Sequence, residues 1–121
     1  MPHIVLEKVQ SVENCYNEVN LMVEKIEGGV LKITDKYINS RGSSALFESV
    51  VVQGGKPQNF FIQLSSKGEA VTVRLLPLTD PEKTKGVKTL MGLIAHKIKQ
   101  SNDTITYGKT NLQDFLVNED V

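Results

Sequence analysis

Tryptophan is absent from this 121-residue chain, and cysteine occurs once. A single Cys15 excludes any internal disulfide. It falls at an apolar position of a helix-like stripe, where a buried, inert thiol is expected rather than a nucleophile or a ligand. Charge of one sign is also lacking: 14 Lys and Arg balance 14 Asp and Glu. A dedicated nucleic-acid binder carries a basic excess to neutralise phosphates, so nucleic acid is not an expected partner. No apolar run approaches the roughly 20 residues that a membrane span requires. The start, Met1-Pro2-His3-Ile4, shows no basic segment followed by a long apolar one, so no secretory signal is visible. A soluble, cytoplasmic protein is the expectation. The two histidines, His3 and His96, lie far apart with no Cys or carboxylate at ligand spacing. Neither a metal site nor a Ser/His/Asp grouping is expected, and no cofactor is implied.

What is present is an ordinary globular composition, 40% apolar and 23% charged. A chain of this length buries roughly two-thirds of its unfolded surface and folds without disulfides or a structural metal. No linker, repeat or low-complexity tract divides it, so residues 1–121 are read as a single domain.

The hydrophobic rhythm changes along the chain. Residues 3–9 read as a first strand. Ser11 then stands where an N-cap belongs, and Val12, Cys15, Tyr16, Val19, Met22, Val23 and Ile26 recur at spacings of three and four. That spacing predicts one amphipathic helix over 12–26, closed by Gly28-Gly29. From residue 30 the period shortens. Segments 30–38, 44–53, 59–65 and 70–76 are rich in Val, Ile, Leu and Phe. Turn residues separate them at Asn39-Ser40-Arg41-Gly42, Gly54-Gly55-Lys56-Pro57 and Ser66-Lys67-Gly68. Short turns join antiparallel neighbours, which predicts a four-strand meander. Asp80 then reads as an N-cap, with Pro81 at the first helical position. Val87, Leu90, Met91, Ile94, Ala95 and Ile98 form the buried stripe of a second helix. Thr104–Tyr107 reads as a short last strand, and the polar tail from Asn118 as frayed. The predicted fold is α+β: an antiparallel sheet built on the meander, with two helices packed on one face.

Pro2 carries the most pointed chemistry. If Met1 is removed, Pro2 becomes an N-terminal secondary amine. An apolar pocket disfavours its ammonium form and lowers its pKa toward neutrality. A base poised there lifts a proton next to a carbonyl and returns it elsewhere, provided a nearby cation holds the anionic substrate. Only two arginines are available: Arg41 in the loop Arg41-Gly42-Ser43-Ser44, and Arg74 on the last meander segment. The start Met1-Pro2-His3-Ile4-Val5-Leu6-Glu7 resembles that of the carboxymethyl-hydroxymuconate isomerase branch of the tautomerase superfamily. Thr79-Asp80-Pro81-Glu82-Lys83 is similar to the entry of that superfamily's second helix. The resemblance implies a cofactor-free isomerase with Pro2 as general base and arginines holding a substrate carboxylate.

The second helix carries Lys83, Lys85, Lys88, Lys97 and Lys99 against one acid, Glu82. Lys85, Lys88, His96 and Lys99 fall opposite its apolar stripe, around a Gly92 read as exposed. That is a basic face for an acidic partner or, with no aromatics interleaved, an ordinary solvated face. Gly54-Gly55-Lys56-Pro57 lacks the spacing of a phosphate loop and reads as a hairpin turn. Arg41-Gly42-Ser43-Ser44 likewise reads as a turn before an anion site. A free meander edge suits pairing with a second copy. Two functions therefore stay open: a non-catalytic binding or assembly module, and a proline tautomerase acting on a small carboxylated enol or keto acid.

Overall fold

The computed structural model describes residues 2–79 and 81–117. Seven strands form one antiparallel sheet: β1 (His3–Glu7), β2 (Met22–Ile26), β3 (Gly29–Ile38), β4 (Ser44–Gln53), β5 (Lys56–Lys67), β6 (Ala70–Leu75) and β7 (Thr106–Thr110). Their order across the sheet is β2-β3-β4-β5-β6-β1-β7. The α+β class holds, and the sheet is larger than the four strands read from the meander. β2 extends one side, and β1 inserts between β6 and β7 on the other.

The turns explain the register. Gln53 pairs with Lys56 across Gly54 and Gly55, which have φ of 62° and 77°. A two-residue loop with both φ positive matches the right-handed twist of its strands, and glycine adopts it without a Cβ clash. The Gly-Gly-Lys-Pro segment is thus a hairpin. A bulge between Ile33 and Asp35 shifts the register of β3 against β4. It turns Lys36 to the side of its partner Phe47, which is buried.

Strand alternation builds the core. Ile4, Leu6, Leu31, Ile33, Phe47, Phe60, Ile62, Leu64, Val73 and Leu75 are all buried. Helix α1 (Val12–Glu18) adds Val12 and Cys15, and helix α2 (Lys85–Gln100) adds Val87, Leu90, Met91, Ile94, Ala95 and Ile98. Helix α2 touches β1, β3, β4 and β6, so the sheet curls along it. Among the described residues no helix is long and apolar enough to cross a membrane.

The first predicted helix is corrected. It stops at Glu18, and Met22–Ile26 is a strand hydrogen-bonded to β3. Ser11 does cap it, its Oγ accepting from Asn14 N–H at 3.0 Å. The far end is closed from outside the segment. Lys36 Nζ donates to the carbonyls of Tyr16 and Val19, each at 2.9 Å. Both carbonyls lie at the helix C-terminus, where a cation is favoured, and the Tyr16 carbonyl also accepts the Val19 N–H at 3.4 Å. Val19 itself is extended and fully buried. Residues such as Val12, Cys15 and Val19 satisfy helical spacing whether or not the helix continues. Asn17 and Asn20, with β-branched Val19 and Val23, are poor helix formers that let the chain leave it. Gly28 and Gly29 serve the β2–β3 hairpin rather than a helix end.

The second helix begins later than predicted. Thr84 is its N-cap, accepting from Val87 N–H at 3.3 Å, and Pro81 lies outside it. Asp80 and the tail from Asn118 lie outside the described residues. The last strand, Thr106–Thr110, overlaps the predicted one and runs three residues further. A 3₁₀ turn, Gln113–Phe115, follows and packs on α2.

Candidate functional site

The alternate residues of β4 define the face opposite the core. Ala45, Phe47, Ser49 and Val51 are buried, whereas Leu46, Glu48, Val50 and Val52 point the other way and are half-buried. Register carries that face across the sheet. Tyr37, Leu46 and Gln63 lie in one row, Asp35, Glu48 and Phe61 in the next, then Val23, Lys32 and Val50, then Lys25, Val30 and Val52. Three large hydrophobic residues are exposed among the described ones: Val23 at 67%, Leu21 at 53% and Tyr37 at 47%. All belong to β2, its approach, or the adjacent β3. Leu46, Val50, Val52 and Phe61 lie on the same outer face, interspersed with Lys25, Lys32, Asp35 and Glu48.

Polar groups organise this surface. The Tyr37 hydroxyl donates to Glu48 Oε1 at 2.9 Å and lies 3.4 Å from Asp35 Oδ2. The Glu48 hydrogen bond, with a smaller contribution from the Asp35 charge, pushes the phenol up to about 12. It therefore stays neutral, a fixed donor at physiological pH. Its ring meets Phe61 at 6.3 Å between centroids. Further along, Arg74 Nε donates to Gln63 Oε1 at 2.9 Å.

The residues singled out from the sequence are scattered. Pro2 is buried and lines a cavity of about 440 Å³ together with Lys83, Lys88, Asn111 and Leu112. Neither arginine is there. Arg74 is the register partner of His3, one residue from Pro2, and strand alternation sends it to the other face. Arg41 is exposed in the β3–β4 turn, whose Gly42 lies against Glu13 of α1. The cations that accompany Pro2 are lysines from the entry and first turns of α2. Sequence reading missed them as a group because the chain reaches them only by pairing β1 beside β6. The Asn39 side chain ties the Arg41 loop, its Oδ1 accepting from Ser43 and Ser44 N–H. That accounts for those amides as turn bonds.

The predicted basic face of α2 is interrupted. Gly92 is buried, and a Cβ there would collide with the Phe115 carbonyl. Its exposure, expected from the helical wheel, is thereby corrected. Lys88 Nζ sits 5.8 Å over the Phe115 ring and Lys99 Nζ 5.6 Å over the Tyr107 ring. Of Lys85, Lys88 and Lys99, Lys85 is exposed and the other two are half-buried. The side chains that follow α2 therefore use the lysines as cation–π partners.

A second cavity of about 310 Å³ lies between α1 and the end of α2, lined by Gln10, Asn14, Cys15, Glu18, Asn102 and neighbours. Burial pushes the Cys15 thiol up to about 11, which leaves it a poor nucleophile. Among the described residues no three His, Cys, Asp or Glu side chains gather to hold a metal. Compared with protein-family models, curated proteins and solved structures, the chain shows no significant match to any.

Proposed function

We propose that the chain is a cytoplasmic, non-catalytic binding or assembly module. In this reading both helices close one face of a sheet whose core is the consecutive β3–β6 meander, and the other face and the β2 edge receive a partner. The observation that carries it is the three exposed large hydrophobics Leu21, Val23 and Tyr37 on or beside β2 and β3, near half-buried Leu46, Val50, Val52 and Phe61 of the outer sheet face. Exposed large hydrophobics gathered on one side of a small domain, rimmed by charged residues, mark an interaction site. Among the described residues the two pockets, by contrast, bring together no base, nucleophile and oxyanion donor in one place.

Photo-crosslinking in cells tests this. A photoreactive residue at Val50 or Val52 is expected to give defined protein adducts, and one at exposed Lys97 on α2 is not. Equal yields from both surfaces, or none from the sheet, would refute it.

A second reading is supported by the Pro2 cavity. It is a cofactor-free tautomerase with Pro2 as general base, in which Lys83 and Lys88 take the substrate carboxylate in place of Arg41 and Arg74. The supporting observation is a buried Pro2 beside two cationic side chains. Intact mass decides whether Pro2 is free, since a retained Met1 acylates its nitrogen. With Met1 removed, an enol–ketone conversion assay should lose at least 100-fold in Pro2→Ala, the scale of general-base catalysis. Equal rates would end this reading.

A further inference from the structure

We propose that the partner of the β2 edge is a second copy of this chain, joined antiparallel about a two-fold axis through Val23. The inference rests on the module reading above and names its partner.

The two edges of the sheet differ. β7 carries Thr106, Gly108, Lys109 and Thr110, with no exposed large hydrophobic, and its Tyr107 hydroxyl donates to the Val117 carbonyl of the following segment. β2 is paired on one side only and exposes Leu21 and Val23. An unpaired edge offers a row of backbone donors and acceptors, which a second strand satisfies. Charge or proline commonly blunts such an edge; β2 carries Glu24 and Lys25, but exposes Val23 beside them.

The register makes this edge complementary to itself. Centring the pair on Val23 sets Val23 against its own copy and Leu21 against the second copy's Lys25. Val23 and Lys25 point to the face away from the core, because they alternate with Met22 and Glu24, the register partners of buried Ile33 and Leu31. The same alternation carried one residue before the strand puts exposed Leu21 on that face. The bulge in β3 places Asp35 two residues past Ile33, beside the approach to Met22, on that same face. Lys25 of one copy thus lies level with Asp35 of the other, two strand spacings away, roughly 10 Å between backbones. A lysine stem crossing Leu21 spans that gap, covers the leucine and brings its ammonium to the carboxylate. Two-fold symmetry makes the contact twice. Within one chain the ion pair found among the described residues is Lys56 with Glu82, so Lys25 is not already engaged with Asp35. A net charge of zero adds no repulsion between copies.

Sedimentation velocity of the purified full chain from about 2 to 500 µM is the test, because an edge contact of this size belongs to the weak, concentration-dependent class. The mass should rise from 13.4 kDa toward twice that value across the series. Val23→Lys, at an exposed position, should keep the thermal midpoint and weaken association at least 10-fold by setting like charges on the axis. Lys25→Glu and Asp35→Lys should each weaken it about threefold or more, and the double exchange should restore it, the non-additivity that marks a direct pair. A wild-type chain that stays monomeric at the highest concentration overturns the dimer, as does a Val23→Lys chain that associates like wild type. A double exchange as weak as the sum of its parts overturns the Lys25–Asp35 contact. Sheet-face crosslinks in cells to a different protein, with a monomeric purified chain, would remove the dimer and leave the module standing. No crosslinks and no dimer would remove both.

Discussion

Lys36→Met removes an ammonium while keeping most of the stem, and its cost follows from three contacts. The ammonium donates to two carbonyls at 2.9 Å and sits 4.3 Å from the centroid of the Tyr16 ring. A hydrogen bond to a charged group contributes about 1.5–3 kcal/mol, and a cation–π contact about 0.5–1 kcal/mol at an accessible site. Lys36 is half-buried, so water re-solvates the freed carbonyls and the sum is not realised in full. A net loss of about 2 kcal/mol is the expectation, a fall in Tm of roughly 6–10 °C for a domain of this length. Urea unfolding should show a lower midpoint at unchanged slope. Hydrogen exchange should quicken in the last turn of α1 before it changes elsewhere, because that turn loses its closure. Lys36→Arg should recover part of the loss, since the charge returns with a different donor geometry. A Lys36→Met chain within about 0.5 kcal/mol of wild type, inside the range of ordinary surface substitutions, would refute the idea that this lysine ends the helix.

Three further outcomes follow from the same contacts. Gly92→Ala should destabilise by about 1–3 kcal/mol through overpacking against Phe115; a gain near 1 kcal/mol, normal for a helix glycine facing water, would show that the segment after β7 does not cover α2. Cys15 should resist maleimide at pH 8 in the native state. Because its folded pKa, about 11, is raised above the ordinary 9.0, the stability it contributes is complete below pH 9 and is lost as pH climbs through 11. Chemical denaturation at pH 7, 9, 10 and 11 should show that decline, and a Cys15→Ala chain with the same slope would refute the assignment. Lys8 adopts φ of 63°, a left-handed conformation that costs a non-glycine residue about 1 kcal/mol. Lys8→Gly should therefore leave the thermal midpoint unchanged or raise it slightly, and a drop of several degrees would mean that the lysine side chain is needed there.

The α+β class is legible in local signals along the chain. Period-two alternation and glycine turns at 54–55 and 68 are local signals, and strands lie at Gly29–Ile38, Ser44–Gln53, Lys56–Lys67 and Ala70–Leu75. The stripe Val87–Ile98 was equally plain, because six apolar residues at helical spacing admit no strand reading of that length. Tertiary structure decided the rest. Residues 12–26 carry a pattern that both a helix and a helix-then-strand satisfy, and it took β3 as a pairing partner, with Lys36 as a cap, to choose. The companions of Pro2 were invisible for a similar reason: alternation along β1 and β6 sends Arg74 to the opposite face, while a crossover that no local signal encodes brings up Lys83 and Lys88. Gly92 looked exposed because a helical wheel knows only its own helix, and a segment more than twenty residues later covers it. Short-range chemistry sets which elements form; which surfaces stay open is set by contacts between residues far apart in the chain.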